Sequence, residues 1–168
     1  MCDESSIEWR RLSAGVVCLR LVDATLAGER ETHALDVQHA RAAWTALEAL
    51  PHGDATRSVL VSLVRALAAE EGDRSMTARP RLMAYGRVLE LDSCWRLAAD
   101  VYETVARLCG SEGERVEAQD AAAAFIRLGE CRRQEARWNE AHVAFRAAAR
   151  HALAVGDMAT ELRARCLD

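Results

Sequence analysis

The sequence predicts an all-α chain of about eight helices, stacked as an α-solenoid: three hairpins with one further helix at each end. Three observations lead there. Ala, Leu, Arg and Glu dominate the 168 residues, and only 2 Pro interrupt them. Apolar residues recur at helical spacing. The chain also repeats itself with a period of 43 residues.

The repeat is anchored on Trp138. Steps of 43 residues back fall on Trp95, His52 and Trp9. Three residues after these anchors stand Ala141, Ala98, Ala55 and Leu12; seven after stand Phe145, Tyr102, Val59 and Val16; ten after stand Ala148, Val105, Ser62 and Leu19. Those offsets mark one face of a helix. Small residues at the first offset admit a neighbouring helix and bulky ones at the second fill the space beside it.

The elements follow in order. A first helix is expected over about 5–27, closed by Gly28-Glu29. The hairpins are expected at about 30–49 with 54–70, 79–91 with 94–109, and 115–135 with 138–154. A last helix starts near Asp157. Gly72-Asp73, Gly113-Glu114 and Gly156-Asp157 close helices, the Gly suiting a left-handed position and the acid the next helix start. Pro51-His52-Gly53 reads as a turn. Pro80 is expected to break or start a helix, leaving 73–78 as a separate turn. No linker interrupts the pattern, so one domain over 1–168 is expected, with units of about 28–71, 72–112 and 113–155 between flanking helices at 5–27 and 157–168.

Composition narrows function. Hydrophobic residues make up 51% and charged residues 29%, a soluble globular balance. Every one of the 22 basic residues is Arg, which removes lysine Schiff-base and P-loop chemistry and hints at a GC-rich, bacterial genome. The net charge of −4 is interspersed, with no basic stripe for nucleic acid. The polar, acidic "MCDESSIEWRR" start lacks a secretory signal, and no apolar run is long enough to span a membrane, so a cytoplasmic protein is expected. Cys2, Cys18, Cys94, Cys109, Cys131 and Cys166 form no CxxC pair and read as reduced thiols; with the five His they offer no zinc spacing. No nucleophile motif or glycine-rich phosphate loop is present. The chain is therefore expected to be no enzyme and to need no metal or cofactor.

The helical hairpins resemble the tetratricopeptide repeat, whose pattern is W-x2-L-G-x2-Y followed by A-x3-F. Phe125-x2-Leu128-Gly129 fits the first half and Ala141-x3-Phe145 the second, with Trp138 as the aromatic before the second helix. Leu82-x2-Tyr85-Gly86 and Ala98-x3-Tyr102 match one unit earlier. Leu89 and Arg132 replace the family's third aromatic, its closing Pro is missing, and the period is longer than the family's. The resemblance implies a right-handed superhelix whose first helices line a concave groove for a peptide or protein. By that resemblance the groove residues are Trp44, Met83, Arg87, Glu90, Ile126, Arg127, Glu130, Arg133 and Gln134, with Ala40, Arg41, Glu48 and Leu91 beside them. Met83 and Ile126 stand where some relatives carry a carboxylate-clamping Lys, and Arg87 and Glu130 where they carry Asn. An acidic chaperone tail is therefore not the expected ligand.

Other features allow two readings each. Trp9, Trp95 and Trp138 read as wedges between hairpins, because of their period, rather than as ligand platforms. Arg127, Arg132, Arg133 and Arg137 read as a solvated face paired with Glu130 and Glu135, or as a carboxylate or phosphate site. The end helices read as polar caps, or as halves of a head-to-tail contact between copies, with Met158, Leu162 and Cys166 along one side of the last. The expected function is a non-enzymatic protein-interaction module. A sensor of a small effector or signalling peptide, and a self-assembling scaffold, are the alternatives.

Overall fold

The computed structural model describes residues 4–31, 36–68, 74–109 and 115–168. Among them the chain is helical, with no strand: α1 Glu4–Glu31, α2 Asp36–Glu48, α3 Ala55–Ala68, α4 Arg74–Leu91, α5 Trp95–Leu108, α6 Arg115–Gln134, α7 Trp138–Ala154 and α8 Met158–Leu167. It forms two compact units, residues 1–85 and 86–168, with α4 contributing to both. In the first, α2 packs on α1 and α3, and α1 on α3. In the second, α6 packs on α5 and α7, α7 on α8, and α6 reaches α8. Within each of these two sets of three and four helices, sequence neighbours are thus neighbours in space.

Two boundaries differ from expectation. α1 runs through Gly28-Glu29 to Glu31, because a glycine costs a helix only about 1 kcal/mol and strong helix formers follow it. α4 begins at Arg74 and continues through Pro80 instead of breaking there. Proline forfeits one backbone bond at about 3 kcal/mol. Ala78 and Arg79 before it, and Leu82, Tyr85 and Leu89 after it, are all buried, so packing on both sides holds the helix together. Gly72-Asp73 and Gly113-Glu114 lie outside the described residues.

The burial pattern corrects the repeat register. In α5 and α7 the expected face is buried: Ala98, Tyr102, Val105, Ala141, Phe145 and Ala148. In α3 the buried residues are instead Thr56, Leu60 and Leu63, and in α1 they are Ala14, Cys18 and Leu21. All twelve are at most 3% exposed. The anchors are therefore Trp138, Trp95, Gly53 and Arg11, and each of the two earlier steps is one residue shorter than the last. His52 and Trp9 are off the register. Trp9 is 70% exposed and Trp138 63%, so neither is a wedge; Trp95 is half-buried.

Two hairpin turns close in the same way. Ser93 and Ala136, both at φ 58°, end α4 and α6. The Cys94 amide donates to the Leu89 carbonyl and the Arg137 amide to the Arg132 carbonyl, each at 2.8 Å. The amides of Ser93 and Ala136 reach the carbonyls of Glu90 and Arg133, each at 3.0 Å. Gly156 (φ 71°) ends α7 likewise, with the Asp157 amide on the Ala152 carbonyl at 2.9 Å. These are Schellman closures, which satisfy carbonyls left over at a helix end.

The α2–α3 turn cannot copy them. In the corrected register Pro51 takes the place of Ser93. A proline ring locks φ on the negative side, so the left-handed closure is barred to it. The connection is accordingly longer, with the Leu50 amide on the Leu47 carbonyl and the Asp54 amide on that of Pro51, both at 3.1 Å. Asp54 then caps α3 by accepting from the Thr56 amide at 2.8 Å.

Candidate functional site

Glycine shapes the first helices of the last two hairpins. A Cβ on Gly86 would lie 2.5 Å from the Tyr102 ring, and one on Gly129 would meet the Phe145 ring closer still. Each aromatic therefore lies against bare backbone, and the two helices of each hairpin approach closely. The same register, one unit earlier, places Trp44 opposite Leu60. A large residue on the first helix and a smaller one on the second replace glycine and an aromatic. Trp44 belongs by register to the helix–helix position and not to the groove; Thr45 takes the place of Arg87 and Glu48 that of Glu90.

Trp44 and Met83, both half-buried, belong to the unit of residues 1–85. The other seven predicted residues belong to 86–168. Ile126 is not available to a ligand: it is 4% exposed and packs with Ala148 of α7 and Ala164 of α8. α8 covers this part of α6, so the groove assignment of Ile126 is overturned. Phe125, beside it, stacks on His151 with ring centroids 5.5 Å apart.

Glu90, Arg127 and Glu130 are brought together. Arg127 Nη1 donates to Glu90 Oε2 and to Glu130 Oε2, each at 3.3 Å. Arg163 of α8 donates to Glu130 Oε1 at 3.0 Å. The result is a chain of alternating charge across α4, α6 and α8. Sequence reasoning missed Arg163 because it lies two helices beyond Glu130, outside any helical spacing. Arg87, Arg133 and Gln134 are exposed on the same first helices, and Leu91 beside them is 85% exposed.

Tyr102 and Cys131 are buried close to these carboxylates. Burial pushes the Tyr102 hydroxyl pKa upward, and the neighbouring Glu90 carboxylate pushes the same way. Burial likewise raises the Cys131 thiol to about 12, helped by Glu90, Glu130 and Glu135. Within the unit of residues 1–85, burial raises the Cys18 thiol to about 12 as well. Thiols held protonated in this way are poor nucleophiles.

The arginine run divides. Arg127 is paired as above. Arg132 is buried and meets Glu135 at 3.0 Å, Glu140 at 3.4 Å, Glu103 at 3.6 Å and Asp100 at 3.7 Å. Arg137 meets Glu140 at 2.5 Å. Arg133 makes no ion pair among the described residues. Paired charge accounts for three of the four.

Among the described residues no helix is long and apolar enough to cross a membrane, and no three His, Cys, Asp or Glu converge as metal ligands. The chain matches no family model, no curated protein and no solved structure.

Proposed function

We propose that the chain is a helical-repeat interaction module of the tetratricopeptide type, which docks a protein or peptide partner on the exposed residues of its first helices. One observation carries the reading. The last two hairpins reuse the same stereochemistry at the same register: glycine against an aromatic, a Schellman closure, and a buried triplet on the second helix. Such reuse is the mark of a repeat array, and arrays present continuous preformed surfaces. A rigid surface keeps the ordering cost of binding on the partner's side.

The docking residues in 86–168 are Arg87, Leu91, Arg133 and Gln134, flanking the Glu90–Arg127–Glu130–Arg163 chain. That chain satisfies its own charges, so it serves as a fixed floor, while the flanking residues supply contacts. The test is capture from a lysate by the wild type and by Leu91→Glu/Arg133→Glu, both sites being exposed and safe for folding. A protein retained by the wild type and lost by the variant, with unchanged circular dichroism and melting temperature, supports the reading. Equal retention by both, or retention by neither, overturns it.

A further inference from the structure

Within residues 1–85, an open cavity of about 600 Å³ lies along α3. Arg57, Ser58, Ser62 and Arg65 of α3 line it with Arg81 of α4 and His52 of the α2–α3 turn; among the described residues Val61 is its one apolar side chain. The volume is that of a small-molecule site, but the lining is cationic and hydroxylic. This is unexpected in a chain of net charge −4. Among the described residues no Asp or Glu lines the cavity, and α3 contains none. Asp54, the acid nearest in sequence to α3, is committed elsewhere: its carboxylate is buried, receives Arg11 Nε at 2.7 Å and caps α3. Among the described residues, Arg57 and Arg65 therefore meet no carboxylate in the lining.

The donors are also positioned. Arg57 Nε donates to the Leu47 carbonyl at 3.2 Å, which fixes the side chain and leaves its terminal nitrogens outside that bond. Ser62 Oγ accepts from Arg81 Nε at 3.2 Å, so its own proton is directed to another acceptor. Arg65 is exposed and makes no ion pair among the described residues. Arg57 and Arg65 are separated by about 12 Å along the helix axis, with Ser58 and Ser62 between them on the same face.

We propose that this cavity binds a small ligand bearing two or three phosphate groups. The Arg57 and Arg65 guanidinium groups, two hydroxyls and an imidazole exceed what one carboxylate can accept, whereas each phosphate offers several acceptor oxygens to Arg forks. The separation of the two α3 arginines suits phosphates strung along a chain or carried on a small polar scaffold. Among the described residues no Phe, Tyr or Trp walls the cavity, so the lining offers charge and hydrogen bonds and no large stacking platform. The inference concerns a different set of residues from the groove and stands or falls independently of it.

The experiment is calorimetric titration of the full chain with inorganic tripolyphosphate at fixed ionic strength, which holds general screening constant. The wild type should bind saturably. Arg65→Gln and Ser62→Ala should each weaken binding, the first by about tenfold or more. Arg150→Gln, an exposed arginine of α7, should leave it unchanged. No heat of binding at millimolar tripolyphosphate overturns the proposal, as does equal binding by wild type and Arg65→Gln. Tighter binding of a hexaglutamate peptide than of tripolyphosphate also overturns it, by assigning the cavity to an acidic peptide.

Discussion

Single residues carry two opposite kinds of backbone constraint. At Gly129 the constraint is space. Phe145 is almost fully buried, and its ring has nowhere to retreat from an added Cβ. Gly129→Ala gains helix propensity but overpacks the hairpin, for a net loss of about 1–2 kcal/mol in urea unfolding. Gly86→Ala should do the same against Tyr102. Gly53, with nothing within 4 Å of a Cβ, is the control, and Gly53→Ala should stay within about 0.5 kcal/mol. At Ala136 the constraint is dihedral. A non-glycine residue at φ 58° is strained by about 1 kcal/mol, so Ala136→Gly should stabilise by up to about 1 kcal/mol, discounted by the freedom glycine adds to the unfolded chain. Gly156→Ala, at φ 71°, should destabilise. The glycine–aromatic pairs were legible in the sequence as two matching pairs one period apart. The strained pair Ser93 and Ala136 was not, because neither residue type favours φ above zero; the turn imposes it.

At the level of helices, spacing alone misled where the period changed. The tryptophans suggested an unbroken step, and that step placed Trp9 and His52 in the repeat. Burial shows a shorter step before α5, and the correct anchors, Gly53 and Arg11, carry no aromatic to advertise them. The stretch around those two anchors holds the junction that fixes α1 to α3. Arg11 donates to Asp54, whose other oxygen caps α3. Burial pushes the Asp54 carboxyl up, but the Arg11 hydrogen bond and charge, with the amides of Thr56 and Arg57, hold it below its ordinary value. A depressed carboxylate stabilises the fold above the unfolded value, about pH 3.9, and that contribution is lost as pH falls through the folded value. Asp54→Asn should therefore cost about 2–3 kcal/mol at pH 7 and flatten the stability profile below about pH 4. Wild-type and variant profiles that run parallel through the acid range would disprove the role of this junction.

For the molecule as a whole, the all-α class and the hairpin succession were legible, while the contacts among the expected binding residues were legible only in part. Glu90, Arg127 and Glu130 do assemble, because their register on successive first helices was right. Ile126 failed because its register says nothing of α8, whose Ala164 lands on the same α6 surface. The charges of Glu90, Arg127 and Glu130 proved to be bonded to one another and to Arg163, which a sequence can suggest within a helix but not between helices. What remains is whether the chain behaves as an array or as one cooperative body. In an array each hairpin chiefly contacts its neighbours, so stability is a sum of local terms and damage stays local. Gly129→Ala provides the perturbation, because its clash is confined to α6 and α7. Native-state hydrogen exchange of this variant should show faster exchange first in α6 and α7, with the amides of α2 and α3 near their wild-type rates. Equal acceleration across every helix would mean that the chain opens as one unit, and the repeat reading would lose its energetic basis even though its geometry stands.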